Sequence, residues 1–179
     1  MSEAIRSWQA IAEGFAQRLD AVSADQWEAR TPCDQWSVRE LVEHTIDVQR
    51  GFPGQLGADA SAELGDNPAA AWRQIMAAAS AAYTADGAAE QEVQSPFGAR
   101  PLGEAIGIAT TDLMVHTWDL ARAINADDTL PEPIAAHALE TLTPMDAMMR
   151  GEGMFGPKIE VGDDASVQDR LMGFLGRQP

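Results

Sequence analysis

From about Leu102 to Asn125 runs the longest uninterrupted helical pattern in the chain. A helix of that length must be covered by other elements, so it decides the architecture before anything else does. Its central stretch DLMVHTWDLARAI, residues 112–124, reads as a helix interior. Yet it sets Asp112 and His116 four residues apart among Leu113, Met114, Val115 and Trp118, in a chain with three histidines. Residues at i and i+4 share one side of a helix. An acid and an imidazole on the same side of a buried helix need a partner or a purpose.

The covering helices are legible from their periodicity. Ile5, Trp8, Ile11, Ala12, Phe15 and Leu19 recur at steps of three and four between Ser2 and Leu19. The turn-rich segment SADQWEARTPCDQW follows, where Pro32 stops any helix. Ser37-Val-Arg-Glu40 is a capping box opening a helix with Leu41, His44, Thr45, Val48 and Phe52 on one side, which Pro53-Gly54 is expected to end. Asn67-Pro68 starts a third helix with Trp72, Ile75, Ala79, Ala82 and Tyr83 inward. Residues 86–103 hold no single regular element. Glu92 to Ser95 is expected to be briefly extended, and PFG and RPLG read as turns. Pro131 to Arg150 reads as a fifth helix, irregular at Pro144; GEGMFGPKIEVGDD reads as a loop; Ser166 to Leu175 reads as a short helix stopped by Gly176. With no repeat or linker, residues 1–179 are expected to form one all-α domain, most simply a four-helix bundle with additional short helices.

Composition narrows the partners. The formal charge is −16, and Lys158 is the single lysine beside eleven arginines. A surface of that sign repels a phosphate backbone and an anionic membrane alike, so neither nucleic acid nor membrane is an expected partner. The N-terminal MSEAIRSWQAIAEGF carries charge throughout, and no window approaches about 20 apolar residues, so a cytoplasmic location is expected. Cys33, the one cysteine, excludes an internal disulfide and a Cys-rich zinc site.

His44 lies mid-helix on an apolar face. If its helix neighbours the one bearing Asp112 and His116, the three donors converge, and two imidazoles with a carboxylate make a facial set for Zn²⁺, Ni²⁺ or Fe²⁺. On spacing alone the metal is the less common outcome, and a plain ion pair of Asp112 with either histidine fits the same residues. Asp47, three residues beyond His44, is the candidate supporting group; Arg50, beyond it, faces either the site or solvent. Cys33, just before a helix start, is either a stabilised thiolate or a small buried residue beside Pro32. Trp36 and Trp118 are expected to pack near the site, PFG to form a surface turn or a flap, and His137 to be structural or exposed.

These residues carry a resemblance. TPCDQWSVRELVEHTIDVQRGF resembles the second-helix signature of the DinB-like/YfiT-like metalloenzyme superfamily, closest to the branch containing the metal-binding domain of mycothiol-dependent maleylpyruvate isomerase. DLMVHTWDLARAI resembles that branch's fourth helix, where an acid four residues before a histidine completes the site. The tail GMFGPKIEVGDDASVQDRLMGFLGRQP resembles the end of a subgroup of small uncharacterised proteins in the same branch. The likeness implies an up-down-down-up four-helix bundle with a divalent metal, Zn²⁺ or Ni²⁺, held by His44, Asp112 and His116. The isomerase has Glu where this chain has Asp112, and it carries a further C-terminal domain. An acid one methylene shorter is expected to coordinate less closely or through a water.

The resemblance implies an enzyme acting on a small electrophilic molecule with a low-molecular-weight thiol of the mycothiol or bacillithiol type as cosubstrate, by transfer or isomerisation. Metal-assisted hydrolysis and a non-enzymatic metal- or ligand-binding bundle are the alternatives, and a homodimer stays open.

Overall fold

Proline decides where the second helix stops. In the computed structural model, which describes residues 2–33, 36–62, 65, 67–150 and 155–179, the first helix α1 spans Glu3–Asp20 and the second, α2, spans Val38–Gln49. Pro53 has no N–H to give the Gln49 carbonyl, and its ring crowds that same carbonyl, so the ladder ends at Gln49 rather than at Pro53-Gly54. The chain resumes at once as a single turn, α3, Gly51–Gln55, which contains Pro53 and Gly54. Ser2 caps α1, and Ser37 with Glu40 forms the expected capping box of α2.

Helix α4, Pro68–Thr84, starts on the Asn67 cap, and its buried face is Ala71, Trp72, Ile75, Ala79 and Tyr83, with Ala82 half-buried. A 3-10 turn, Ala88–Glu90, then leads to strand β1, Glu92–Ser95, and strand β2, Gly98–Pro101. The two pair antiparallel, with Glu92 opposite Pro101 and Ser95 opposite Gly98. This hairpin corrects the all-α expectation: the fold is mostly helical with one small sheet. It also corrects RPLG, which is not a turn but the end of β2 and the start of the next helix. The Gln55 side chain stands beside β1, donating to the Gln94 carbonyl at 3.2 Å and accepting from its N–H at 2.7 Å.

Helix α5, Leu102–Ile124, is the expected long helix, ended by Asn125 in the left-handed conformation at φ 56°. Buried residues occur on every side of its middle turns, including all of Leu113 to Ala121. A helix apolar all round belongs inside a protein. It packs against both α1 and α2, and α4 in turn packs against the same two helices. Aromatic contacts tie the layers: Phe15 meets Trp72 at 4.5 Å between ring centroids, and Trp8 meets Tyr83 edge-on at 4.9 Å. Helix α6, Glu132–Leu142, gives way before Pro144 to a 3-10 stretch, Thr143–Met149, and α7, Val167–Phe174, packs on α6. Residues 151–154 of the expected loop, like Asp34 and Gln35 of the turn-rich segment, lie outside the described residues. No helix among the described residues is long and apolar enough to cross a membrane.

One buried amide joins three helices. Gln49 of α2 accepts from the Trp8 indole N–H of α1 at 2.9 Å and donates to the Ala109 carbonyl of α5 at 3.1 Å. Gln49→Leu keeps the volume but leaves the buried indole N–H without its acceptor. Urea unfolding should show a loss of about 1–3 kcal/mol, against nearly none for an exposed glutamine such as Gln94→Leu.

Candidate metal centre

The site forms where α2 and α5 pack. Its first wall is Trp36, which a small antiparallel bridge holds in place just before α2: Thr31 N–H donates to the Trp36 carbonyl at 3.1 Å, and Val38 N–H to the Ala29 carbonyl at 3.0 Å. The indole lies over His44, 4.4 Å between centroids, and 5.5 Å from the His116 ring. His44 sits at the rim of the buried face of α2, with its side chain 33% exposed, whereas the His116 side chain is 6% exposed on α5. The two imidazoles meet edge-on at 5.1 Å.

Asp112 joins them. One donor atom from each of His44, Asp112 and His116 lies within 4.8 Å of the others. Three points so spaced all fall within about 2.8 Å (4.8/√3) of a common centre, and a bound zinc has its ligands at about 2.0–2.2 Å, so closure asks for less than an ångström of movement. Both rings turn Nε2 to the same carboxylate oxygen: Asp112 Oδ1 is 3.9 Å from His44 and 3.7 Å from His116. Those separations are too long for hydrogen bonds. The other oxygen, Oδ2, is sealed from solvent and has no partner. Burial pushes the Asp112 carboxyl up, but the imidazoles of His116 and His44 and the more distant Arg177 outweigh it and hold the group below the usual carboxylate range. A carboxylate kept ionised between two imidazole nitrogens, hydrogen-bonded to neither, is a cation-shaped arrangement, and the donor set fits a divalent metal.

Two residues complete the surroundings. His116 Nδ1 lies 3.0 Å from Asp119 Oδ2, and Asp119, fully buried, takes two hydrogen bonds from Arg177, from Nε at 3.2 Å and Nη2 at 2.8 Å. Burial raises the Asp119 carboxyl while His116 and Arg177 lower it further, so it too sits below the usual range. Metal-binding histidines commonly give their second N–H to such a carboxylate. Sequence reading passed over Asp119 although it lies in the quoted stretch, three residues after His116.

Asp47 does not take that place. Its side chain is exposed and paired with Arg50. Three residues rotate a helix by about 300°, so Asp47 lies some 60° from His44 on the side away from the buried face. Cys33 is half-buried, within electrostatic reach of Arg177 but not among the three clustered donors. Trp118 is buried in the core, His137 is exposed, and Pro96-Phe97 forms the hairpin turn with Phe97 resting on the core.

Residues 8–121 match the family described as mycothiol maleylpyruvate isomerase N-terminal domain. The chain belongs to that family. The match to the mycothiol maleylpyruvate isomerase N-terminal domain family runs from within α1 through most of α5, and with them takes in His44, Asp112, His116 and Asp119; Arg177 lies beyond it. Two curated relatives from Mycobacterium tuberculosis are similar along almost the whole length: Uncharacterized protein MT0763 of strain CDC 1551 / Oshkosh and Uncharacterized protein Rv0738 of strain ATCC 25618 / H37Rv. Each is 30% identical over 176 residues, covering 94% of this chain and 94% of the relative. No solved structure gives a significant match.

Proposed function

We propose that the chain is a divalent-metal enzyme using a low-molecular-weight thiol of the mycothiol or bacillithiol type to modify a small electrophile by transfer or isomerisation. His44, Asp112 and His116 hold the ion, Zn²⁺ or Ni²⁺. This reading takes residues 1–179 as one DinB-like domain in the cytoplasm, with α1, α2, α4 and α5 as an up-down-down-up bundle. Its main support is the convergence of three metal-type donors beside a buried, unpartnered carboxylate oxygen. Family membership is the support for a thiol cosubstrate.

When bound, a divalent ion lowers the pKa of a thiol or water beside it and so supplies a nucleophile near neutral pH. The chain's own residues prepare that place. His44 and His116 turn Nε2 toward Asp112, Asp112 contributes negative charge, and Trp36 screens one side while the His44 rim is partly exposed. Charge favours an anionic guest: with both imidazoles neutral, Asp112, Asp119 and Arg177 together carry one negative charge. A divalent ion therefore leaves one positive charge, which a single thiolate cancels.

The test is metal analysis of purified protein followed by a thiol-transferase screen with and without mycothiol. One equivalent of metal and thiol-dependent turnover support the reading. Turnover without thiol would replace it by metal-assisted hydrolysis, and a bound ion with no turnover would make the chain a carrier or sensor. Asp112→Asn removes the charge that offsets the cation and should weaken metal affinity by about 10–100-fold or more, whereas Asp112→Glu should retain the metal. Wild-type affinity in Asp112→Asn, measured by competition titration, would remove Asp112 from the site.

A further inference from the structure

Arg177 stands 58 residues beyond Asp119 and outside the family match, yet its side chain is buried against that carboxylate. The end of α7 aims it there. Gly176 N–H donates to the Gly173 carbonyl and Arg177 N–H to the Met172 carbonyl, the paired bonds of a Schellman turn, with Gly176 left-handed at φ 81°. Gly176 also runs close to a neighbouring segment: an added Cβ would lie 3.0 Å from the Pro157 carbonyl oxygen. The turn therefore needs glycine both for its φ and for room, and it delivers the guanidinium inward. Every nitrogen of that guanidinium has an acceptor: Nε and Nη2 fork onto the two Asp119 oxygens, and Nη1 donates to the Leu175 carbonyl at 3.3 Å.

An Asp119 carboxylate gripped by a guanidinium is an acceptor only. In the neutral ring, the His116 Nδ1 facing it at 3.0 Å then carries the proton, which leaves Nε2 as the lone pair on the Asp112 side. We infer that Arg177 is a positioning residue of the candidate metal centre: through Asp119 it fixes the His116 ring and its tautomer, so that Nε2 is presented to a metal. The C-terminal segment is thereby part of a site whose donors all lie in the family match. This rests on reading His44, Asp112 and His116 as ligands. Without the fork, Asp119 is a buried carboxylate with a single partner, and it gains by turning to other donors and releasing the ring.

The decisive measurement separates the two readings. Imidazole ¹⁵N–¹H NMR of metal-free protein should show wild-type His116 as a single Nδ1–H tautomer, and Arg177→Met should show both tautomers. Zn²⁺ competition titration should show affinity falling by about 10–100-fold in Arg177→Met, the loss usual when a group supporting a metal ligand is removed. Arg177→Lys keeps the charge without the fork and should recover part of both signals; it also serves if Arg177→Met does not fold. His44→Ala should lose Zn²⁺ with the His116 tautomer intact. An unchanged tautomer and wild-type Zn²⁺ affinity in both Arg177 variants would overturn the inference while leaving the metal reading standing. Wild-type protein that takes up no Zn²⁺ would end the metal reading, and the inference with it, even if the tautomer shifts.

Discussion

His116→Ala should abolish stoichiometric metal binding while leaving the helical far-UV signal nearly intact. Affinity should fall by at least about 100-fold, because loss of a supporting group alone costs about 10–100-fold and His116 is a ligand in this reading. The fold should survive for reasons visible around the ring. Alanine favours helix more than histidine does. Asp119, the carboxylate the ring leaves behind, keeps both bonds from Arg177. The long helix is also held between α1 and α2 by its own buried apolar side chains. A stability loss of about 1–3 kcal/mol is expected from the shortened side chain. Calorimetric metal titration beside circular dichroism checks both halves. Unfolding of the variant would instead assign the ion a structural role.

Gly173→Val should be the most damaging small change in the C-terminal segment. A Cβ on this buried glycine would lie 2.6 Å from the Ile159 carbonyl oxygen and 2.9 Å from Val161 Cγ1. The first neighbour is backbone and has no rotamer to change. Nor can the two segments simply separate, because Ile159 N–H donates to the Gly173 carbonyl at 2.9 Å. Overpacking of this kind together with a lost hydrogen bond costs about 3 kcal/mol, which in a chain of this size lowers Tm by about 6–12 °C. Gly173→Ala should act in the same direction but less, since alanine returns about 0.5–1 kcal/mol of helix propensity. Scanning calorimetry decides: a Tm within a degree of wild type would show that the segment yields freely.

Periodicity carried most of the fold. The stripes of α1, α4 and α5 are buried where the spacing of Ile5 to Leu19, Trp72 to Tyr83 and Leu113 to Trp118 puts them, because helix packing is local pattern made tertiary. The misreadings are instructive in the same terms. Proline acts on the carbonyl four residues before it, so Pro53 ended α2 at Gln49 and not at itself. RPLG contains two turn formers, but Arg100 and Pro101 were already committed to pairing with β1. In the site, His44, Asp112 and His116 were legible from spacing and resemblance together, and the structure gathers them. The step count from His44 to Asp47 does not reveal which way the buried face of α2 turns, and Asp47 lies on the side away from it. Asp119 could have been found from its i+3 offset after His116. Arg177 could not, because nothing local announces which residue the end of α7 delivers to α5.

The hairpin bears on self-association. In the β1–β2 register, Gln94 and Glu92 turn their backbone groups outward on one edge, and Ala99 and Pro101 on the other. Open strand edges are templates on which further chains can add and aggregate. Here the Gln55 amide already occupies both outward groups of Gln94, leaving the charged Glu92 beside it. On the opposite edge Pro101 has no N–H to offer. A growing cross-β stack would thus find one edge capped by a side chain acting as a third strand and the other one donor short. At Gln94 and Pro101 the only sheet among the described residues thus lacks the full backbone pairing that a further strand needs.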